Sequence, residues 1–234
     1  MEQFFIAITE YFAGPLGLVE LIGTIFSLIC VYLAVKHNQW TWFFGVLGVL
    51  AFGYLFLQYA LISDAMLQLL FFLPLQFVGF FVWRNVAKRA DNDREVKALS
   101  GLSFIGIILF IAAMTLLNGA AMATYGMQIM AWLNSTFTFT GLSFPVVAAA
   151  FPYADAFTTW MSVAAQILMI AKYRESWVLW VVMDAAAIGI YLAKGLVVTS
   201  GLYAVFFVLA AIGGIAWYKQ YKAQQKPDTN IWGV

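Results

Sequence analysis

The stretch KYRESWVLWVVMDAAAIGIYLAK, residues 172–194, decides how the chain is read. Lys172, Arg174 and Glu175 stand at one end and Lys194 at the other, and the eighteen residues between carry one charge, Asp184. As a helix rising 1.5 Å per residue they span about 27 Å, close to the roughly 30 Å hydrocarbon core of a bilayer. The same pattern of a long apolar run closed by charge recurs along the chain. Of 234 residues, 64% are hydrophobic and 10% charged, whereas a soluble domain has about a quarter charged residues. Most of the surface must therefore face lipid or other helices.

Apolar runs predict seven spans, at 18–35, 40–59, 65–86, 102–117, 157–171, 177–193 and 201–218. The stretch 119–154, rich in Gly, Thr, Phe and Pro, reads as a long loop with an interfacial piece at 127–133. Starting with the N-terminus outside, eleven of the twelve Lys and Arg fall on the cytoplasmic side, leaving Lys194 alone on the other. Such a bias marks orientation and puts the C-terminus inside. Residues 1–15 carry Phe4, Phe5, Ile8 and Phe12 opposite Glu2 and Glu10, the pattern of an interfacial helix ended at Gly14-Pro15. They lack the basic start and cleavage site of a secretory signal.

Internal symmetry comes next, because transporters place sites between duplicated halves. Glu20, Thr24 and Ser27 recur as Asp155, Thr159 and Ser162, 135 residues later; Lys36 then pairs with Lys172, Trp40 with Trp177 and Tyr54 with Tyr191, the offset creeping to 137. Three spans per repeat is an odd number, so parallel repeats need an intervening helix. The expected fold is an all-α polytopic membrane protein with seven transmembrane helices in a 3+1+3 arrangement of two parallel three-helix repeats. Its parts are an N-terminal helix (1–15), a first bundle (16–88), a linker helix with a long external loop (89–154), a second bundle (155–222) and a cytoplasmic tail (223–234).

Polar residues inside spans are the candidates for function, since each is costly unless paired or lining a cavity. Asp155, Thr159, Ser162 and Gln166 are spaced four, three and four and share one helix face; Trp177, Trp180 and Asp184 do the same on the next span, with Tyr191 seven further on. Glu20, Thr24 and Ser27 form the matching first-half stripe, and Tyr54, Gln58, Gln68 and Gln76 add polar groups. Each has a plainer reading. Ser and Thr in membrane helices bond back to their own backbone or glue helices together. Trp40, Trp42, Trp217 and Trp232 suit interfacial anchors, and Trp177 suits an anchor as well as a site. Glu20, Asp64 and Asp155 lie near predicted span ends, where water solvates them, and Lys36, Lys172 and Arg174 mark the cytoplasmic boundary. Cys30, the only cysteine, reads as a small buried hydrophobe.

Other functions lack parts. One His, at position 37, and one Cys leave no metal or nucleophile constellation, and neither His-Glu-x-x-His nor a P-loop is present. The last span has no lysine for retinal, and a net charge of +1 offers no nucleic-acid surface. No cofactor is expected.

The second half resembles a known family. Asp155-x3-Thr159-x2-Ser162-x3-Gln166, Lys172, then Glu175-x-Trp177-x2-Trp180-x3-Asp184-x6-Tyr191, followed by Lys194-Gly195-Leu196 and Tyr203, is similar to the bacterial PnuC-type nicotinamide riboside transporters, with weaker similarity through the first three spans. The resemblance implies a fold like that of the SWEET sugar transporters, substrate near mid-membrane between two three-helix bundles, trimers, an inner-membrane location and facilitated diffusion drawn forward by phosphorylation inside the cell. Nicotinamide riboside is a pyridinium nucleoside, so Trp177 and Trp180 suit its ring. Gln166 with Thr159 or Ser162 suits its hydrogen-bonding groups and Asp184 its charge or ribose, and Tyr191, Gln76 and Tyr54 complete the expected substrate-binding set. Rival readings are a transporter of another sugar or vitamin on the same scaffold, a non-transporting membrane receptor and an intramembrane enzyme.

Overall fold

The computed structural model describes residues 14–58, 62–89, 95–137, 146, 148, 151–193 and 197–225. The expected helix at 1–13, Lys194 and Trp232 lie outside them. Seven helices are present among the described residues: α1 (Pro15–Val35), α2 (Trp40–Gln58), α3, α4 (Gly101–Phe137), α5 (Pro152–Ile170), α6 (Glu175–Ala193) and α7 (Val197–Gln224). Helix α3 is continuous from Ile62–Met66 through a π turn at Leu67–Phe72 into Leu73–Arg89. Five helices are long and apolar enough to cross a membrane, and α2 adds a shorter apolar one. Helix α5 is less apolar because Asp155, Thr158, Thr159, Ser162 and Gln166 lie along it, and it buries nine side chains against its neighbours.

Proline opens α1 and α5 alike, at Pro15 and Pro152, where its missing N–H costs nothing and its fixed φ suits the helix. The two helices also end alike. His37 and Lys172 have φ of 53° and 62°, and in each turn the next amide reaches back to a helix carbonyl: Asn38 N donates to Leu33 O at 2.9 Å and Tyr173 N to Leu168 O at 2.9 Å. This is the bonding of a Schellman cap. Each turn then starts the following helix with matched bonds, Thr41 N to Asn38 O and Trp42 N to Gln39 O, against Ser176 N to Tyr173 O and Trp177 N to Arg174 O. The offset therefore stays at 135 through the turn. Trp177 matches Trp42 rather than Trp40, and Lys172 matches His37 rather than Lys36. Identical side chains suggest the shifted pairing, but what the backbone keeps in register is a left-handed residue, His in one half and Lys in the other.

Helix α1 packs on α2, α2 on α3, α5 on α6 and α6 on α7, while α1 meets α7 and α3 meets α5; α4 lies along α5. The aromatic core sits beside the two turns. Trp83 and Trp217, each fully buried, donate their indole N–H groups crosswise, Trp83 to Ile170 O at 3.0 Å and Trp217 to Ala34 O at 3.3 Å. Each bond ties a late helix of one half to the end of the first helix of the other. Trp42 packs edge-on to Trp83 and Trp177 edge-on to Trp217, and His37 stacks on Trp217 at 4.2 Å. Trp42 and Trp217 are thus core residues, 2% and 0% exposed, not interfacial anchors, whereas the Trp40 ring is exposed. Lys172 is also buried, its ammonium over the Trp83 ring.

The expected loop at 119–154 is helix as far as Phe137, and the piece at 127–133 is part of α4. Gly119 reads as a breaker in sequence, yet here it makes room: a Cβ would collide with the Tyr153 ring. The Ala, Met and Leu around it are strong helix formers. Between α3 and α4, the segment at 95–100 is clasped to the α5–α6 turn. Lys97 N donates to Lys172 O, Arg174 N to Lys97 O, and Leu99 N to Glu175 Oε2, at 2.9, 3.0 and 3.0 Å. Glu175 also pairs with Arg174 at 2.9 Å.

Candidate functional site

A cavity of about 200 Å³ opens between α1–α3 on one side and α5–α7 on the other. Ridge spacing explains its lining. Helix α5 presents Ser162, Gln166 and Met169, helix α6 Trp177, Trp180 and Asp184, and helix α7 Tyr203, Phe206 and Ala210 with Leu202 beside them; apart from Leu202 these follow three- and four-residue intervals that keep one helix face inward. Helix α1 supplies Ser27, Cys30, Val31 and Ala34, and α2 supplies Thr41, Trp42, Gly45, Gly48, Val49 and Phe52.

Helix α3 reaches the cavity with Asp64, Gln68, Phe72 and Gln76, each four apart. On a regular α-helix residues four apart drift by about 40° per step, so four in a row would leave the face. The π turn at Leu67–Phe72 advances less per residue and returns them to it. Such turns recur at functional sites.

Six of the nine nominated residues line the cavity: Trp177, Trp180, Asp184, Gln166, Ser162 and Gln76. The other three do not. Thr159 donates its hydroxyl to Asp155 O at 2.8 Å, the backbone bond that serves a Thr within a helix. Tyr191 is buried behind the wall, stacked 5.1 Å from Tyr203, which does line it. Tyr54 is 50% exposed on the outer face, because the register puts Phe56, not Tyr54, at the place of Tyr191.

Sequence reasoning passed over Trp42 and Thr41 on α2 and Asp64 on α3. An unbroken count of 135 from Trp177 and Ser176 would have found the first two. Thr41 donates to Cys30 O at 2.8 Å and holds the Cys30 thiol at 3.4 Å. Trp42 and Trp177 are both nearly fully buried, and their indole N–H groups meet no acceptor among the described residues.

Glycine lets these rings sit where they do. A Cβ on Gly213 would stand 2.5 Å from Cζ3 of Trp177, and one on Gly79 would collide with Trp42 in the same way. Among the described residues, Asp64 and Asp184 are the charged groups of the wall, and no Lys or Arg lines it. Among the described residues no cluster of His, Cys, Asp and Glu has the makings of a metal site.

A helical membrane bundle with a central, aromatic, polar-flecked cavity is the architecture of a small-solute transporter. Residues 17–219 match the family described as nicotinamide mononucleotide transporter, and the chain belongs to that family, whose members are PnuC-type transporters rather than enzymes. The nicotinamide riboside transporter PnuC of Escherichia coli (strain K12) is 28% identical over 209 residues, covering 86% of this chain and 85% of that one. Its counterpart in Haemophilus influenzae is 28% identical over 217 residues, with 92% and 85% covered. A solved structure, "Crystal structure of the Vitamin B3 transporter PnuC", superposes with a TM-score of 0.65 at 25% identity over 94% of this chain and 89% of that chain.

Proposed function

We propose that this protein carries nicotinamide riboside across the bacterial inner membrane by facilitated diffusion, alternating access at the cavity between α1–α3 and α5–α7. The carrying observation is the joint presence in one cavity of two tryptophans, a carboxamide, a hydroxyl and a carboxylate: Trp177, Trp180, Gln166, Ser162 and Asp184. An indole face attracts a cation by about 0.5 to 2 kcal/mol, the upper end applying where water is excluded, so the two rings suit the pyridinium. Asp184 balances its charge, and Gln166 and Ser162 take ribose hydroxyls. Relatives named as nicotinamide riboside transporters support the same substrate.

The family description names the mononucleotide instead. The cavity wall favours the riboside. A phosphate monoester brings two negative charges beside Asp64 and Asp184, with no Lys or Arg among the described residues of the wall to pair with them, and unpaired charge in such a setting is heavily penalised.

The two helix groups would be parallel repeats with α4 as the reversing helix, the N-terminus outside and the C-terminus in the cytoplasm, and the molecule a trimer of SWEET-like protomers. Phosphorylation of the riboside inside the cell would keep flux inward without ion coupling.

Uptake of labelled nicotinamide riboside into sealed proteoliposomes tests the reading. Saturable uptake should run down the gradient with no imposed proton or sodium gradient, and Trp180→Ala should weaken it about two- to thirty-fold, the range of the cation–π energy. Absence of flux in folded protein would favour a receptor, and equal flux of the mononucleotide would reverse the choice of substrate.

A further inference from the structure

We infer that Gln76, seated against Gly45, is the residue that makes the cavity selective for a primary carboxamide over a carboxylate on the ring it binds. The inference rests on the nicotinamide riboside reading and adds a determinant to it.

Gln76 is 6% exposed and lines the cavity, and its side-chain oxygen has no hydrogen-bond partner among the described residues. A buried amide oxygen left unpaired is destabilising, and a guest that brings a donor relieves it. A primary carboxamide does so. Set against the Gln76 amide it gives an N–H to the oxygen and offers its own carbonyl to the Gln76 N–H, and the match holds whichever way the glutamine amide is turned. A carboxylate has acceptors alone. It would leave the Gln76 oxygen unpaired and face it with negative charge.

Gly45 makes the seat. A Cβ there would collide first with Oε1 of Gln76 and would fall 2.6 Å from Cδ and 2.8 Å from Nε2, inside contact with the whole amide. The residue 135 positions later is Trp180, so what is an aromatic wall in the second half is open space for Gln76 in the first. Gly45 is a positioning residue, acting through Gln76.

The test is competition. Purified protein is titrated with nicotinamide riboside and with nicotinic acid riboside, which share the ring charge and the ribose and differ at the amide. The wild type should prefer the carboxamide at least tenfold, since a site built to bond a group rejects analogues that lack it far more strongly than pocket size can. Gln76→Leu, close in volume, should bring the ratio within about threefold of unity while Trp fluorescence still reports binding. Gly45→Ala should lower the ratio as well, and adding Gln76→Asn, one methylene shorter, should restore part of it, a rescue that loss of structure cannot give. A ratio unmoved by Gln76→Leu in folded protein overturns the inference and leaves the functional reading intact. A wild type that binds neither nucleoside overturns both.

Discussion

At Gly213 the absent side chain is the point, because Trp177 fills the space a Cβ would take. Core overpacking of this kind costs about 1 to 3 kcal/mol. Gly213→Ala should lower stability by that amount in detergent, read by thermal or denaturant unfolding, and should cost less than half as much in a Trp177→Leu background, where the ring is gone. Residues of this type were invisible to periodicity. A glycine in an apolar helix carries no mark of what it faces, and no spacing rule separates the buried Trp42 from the exposed Trp40 two residues away. What spacing did deliver was the helix-face logic: Ser162 with Gln166, and Trp177 with Trp180 and Asp184, point into one cavity because residues three and four apart must share a face. The same rule nominated Thr159, which is not among the residues lining the cavity and satisfies its hydroxyl on its own helix.

Among the elements, the clasp between the segment at 95–100 and the α5–α6 turn stands apart from the helix packing. It is a patch of two-way backbone bonding, reinforced by the Glu175 carboxylate on Leu99 N and by Val96, buried among α7 and the aromatic core. A hydrogen bond to a charged acceptor is worth about 1.5 to 3 kcal/mol. Glu175→Ala should therefore speed hydrogen exchange at the Leu99 amide tenfold or more, with amides in the middle of α7 unchanged as the internal reference. No part of this clasp was legible in sequence, because it depends on backbone groups, and every residue but proline has the same ones to offer. Helix ends were legible where Pro or a polar cluster marked them, and misread in α4, where Gly119 serves a neighbour rather than a terminus.

For the whole molecule, the two halves close on one another through the crossed indole bonds of Trp83 and Trp217 at one end of the cavity. Charge placement makes that end cytoplasmic in the proposed orientation. Because Cys30 is the only cysteine, a Cys30→Ser background gives a clean test: a cysteine at Lys222 should react with an impermeant maleimide only from the cytoplasmic face, and one at Phe151 only from the outside. The reverse pattern would invert the topology. The seven helices of the described residues and a membrane setting followed from composition and from apolar runs alone. The wall of the cavity followed in part, and its first-half portion, made of glycine, valine and alanine as much as polar groups, did not.

Helix α4 has 37 residues, about 55 Å of rod in a membrane whose apolar layer is about 30 Å. At tilts up to about 40° the rod still outreaches that layer, and its excess turns form a stiff post clear of the hydrocarbon. A 26.1 kDa protein sunk in a micelle offers few features by which single particles can be aligned, and this post is a place where a rigid helical fusion would continue the rod in register and give the particle a recognisable handle without touching the cavity.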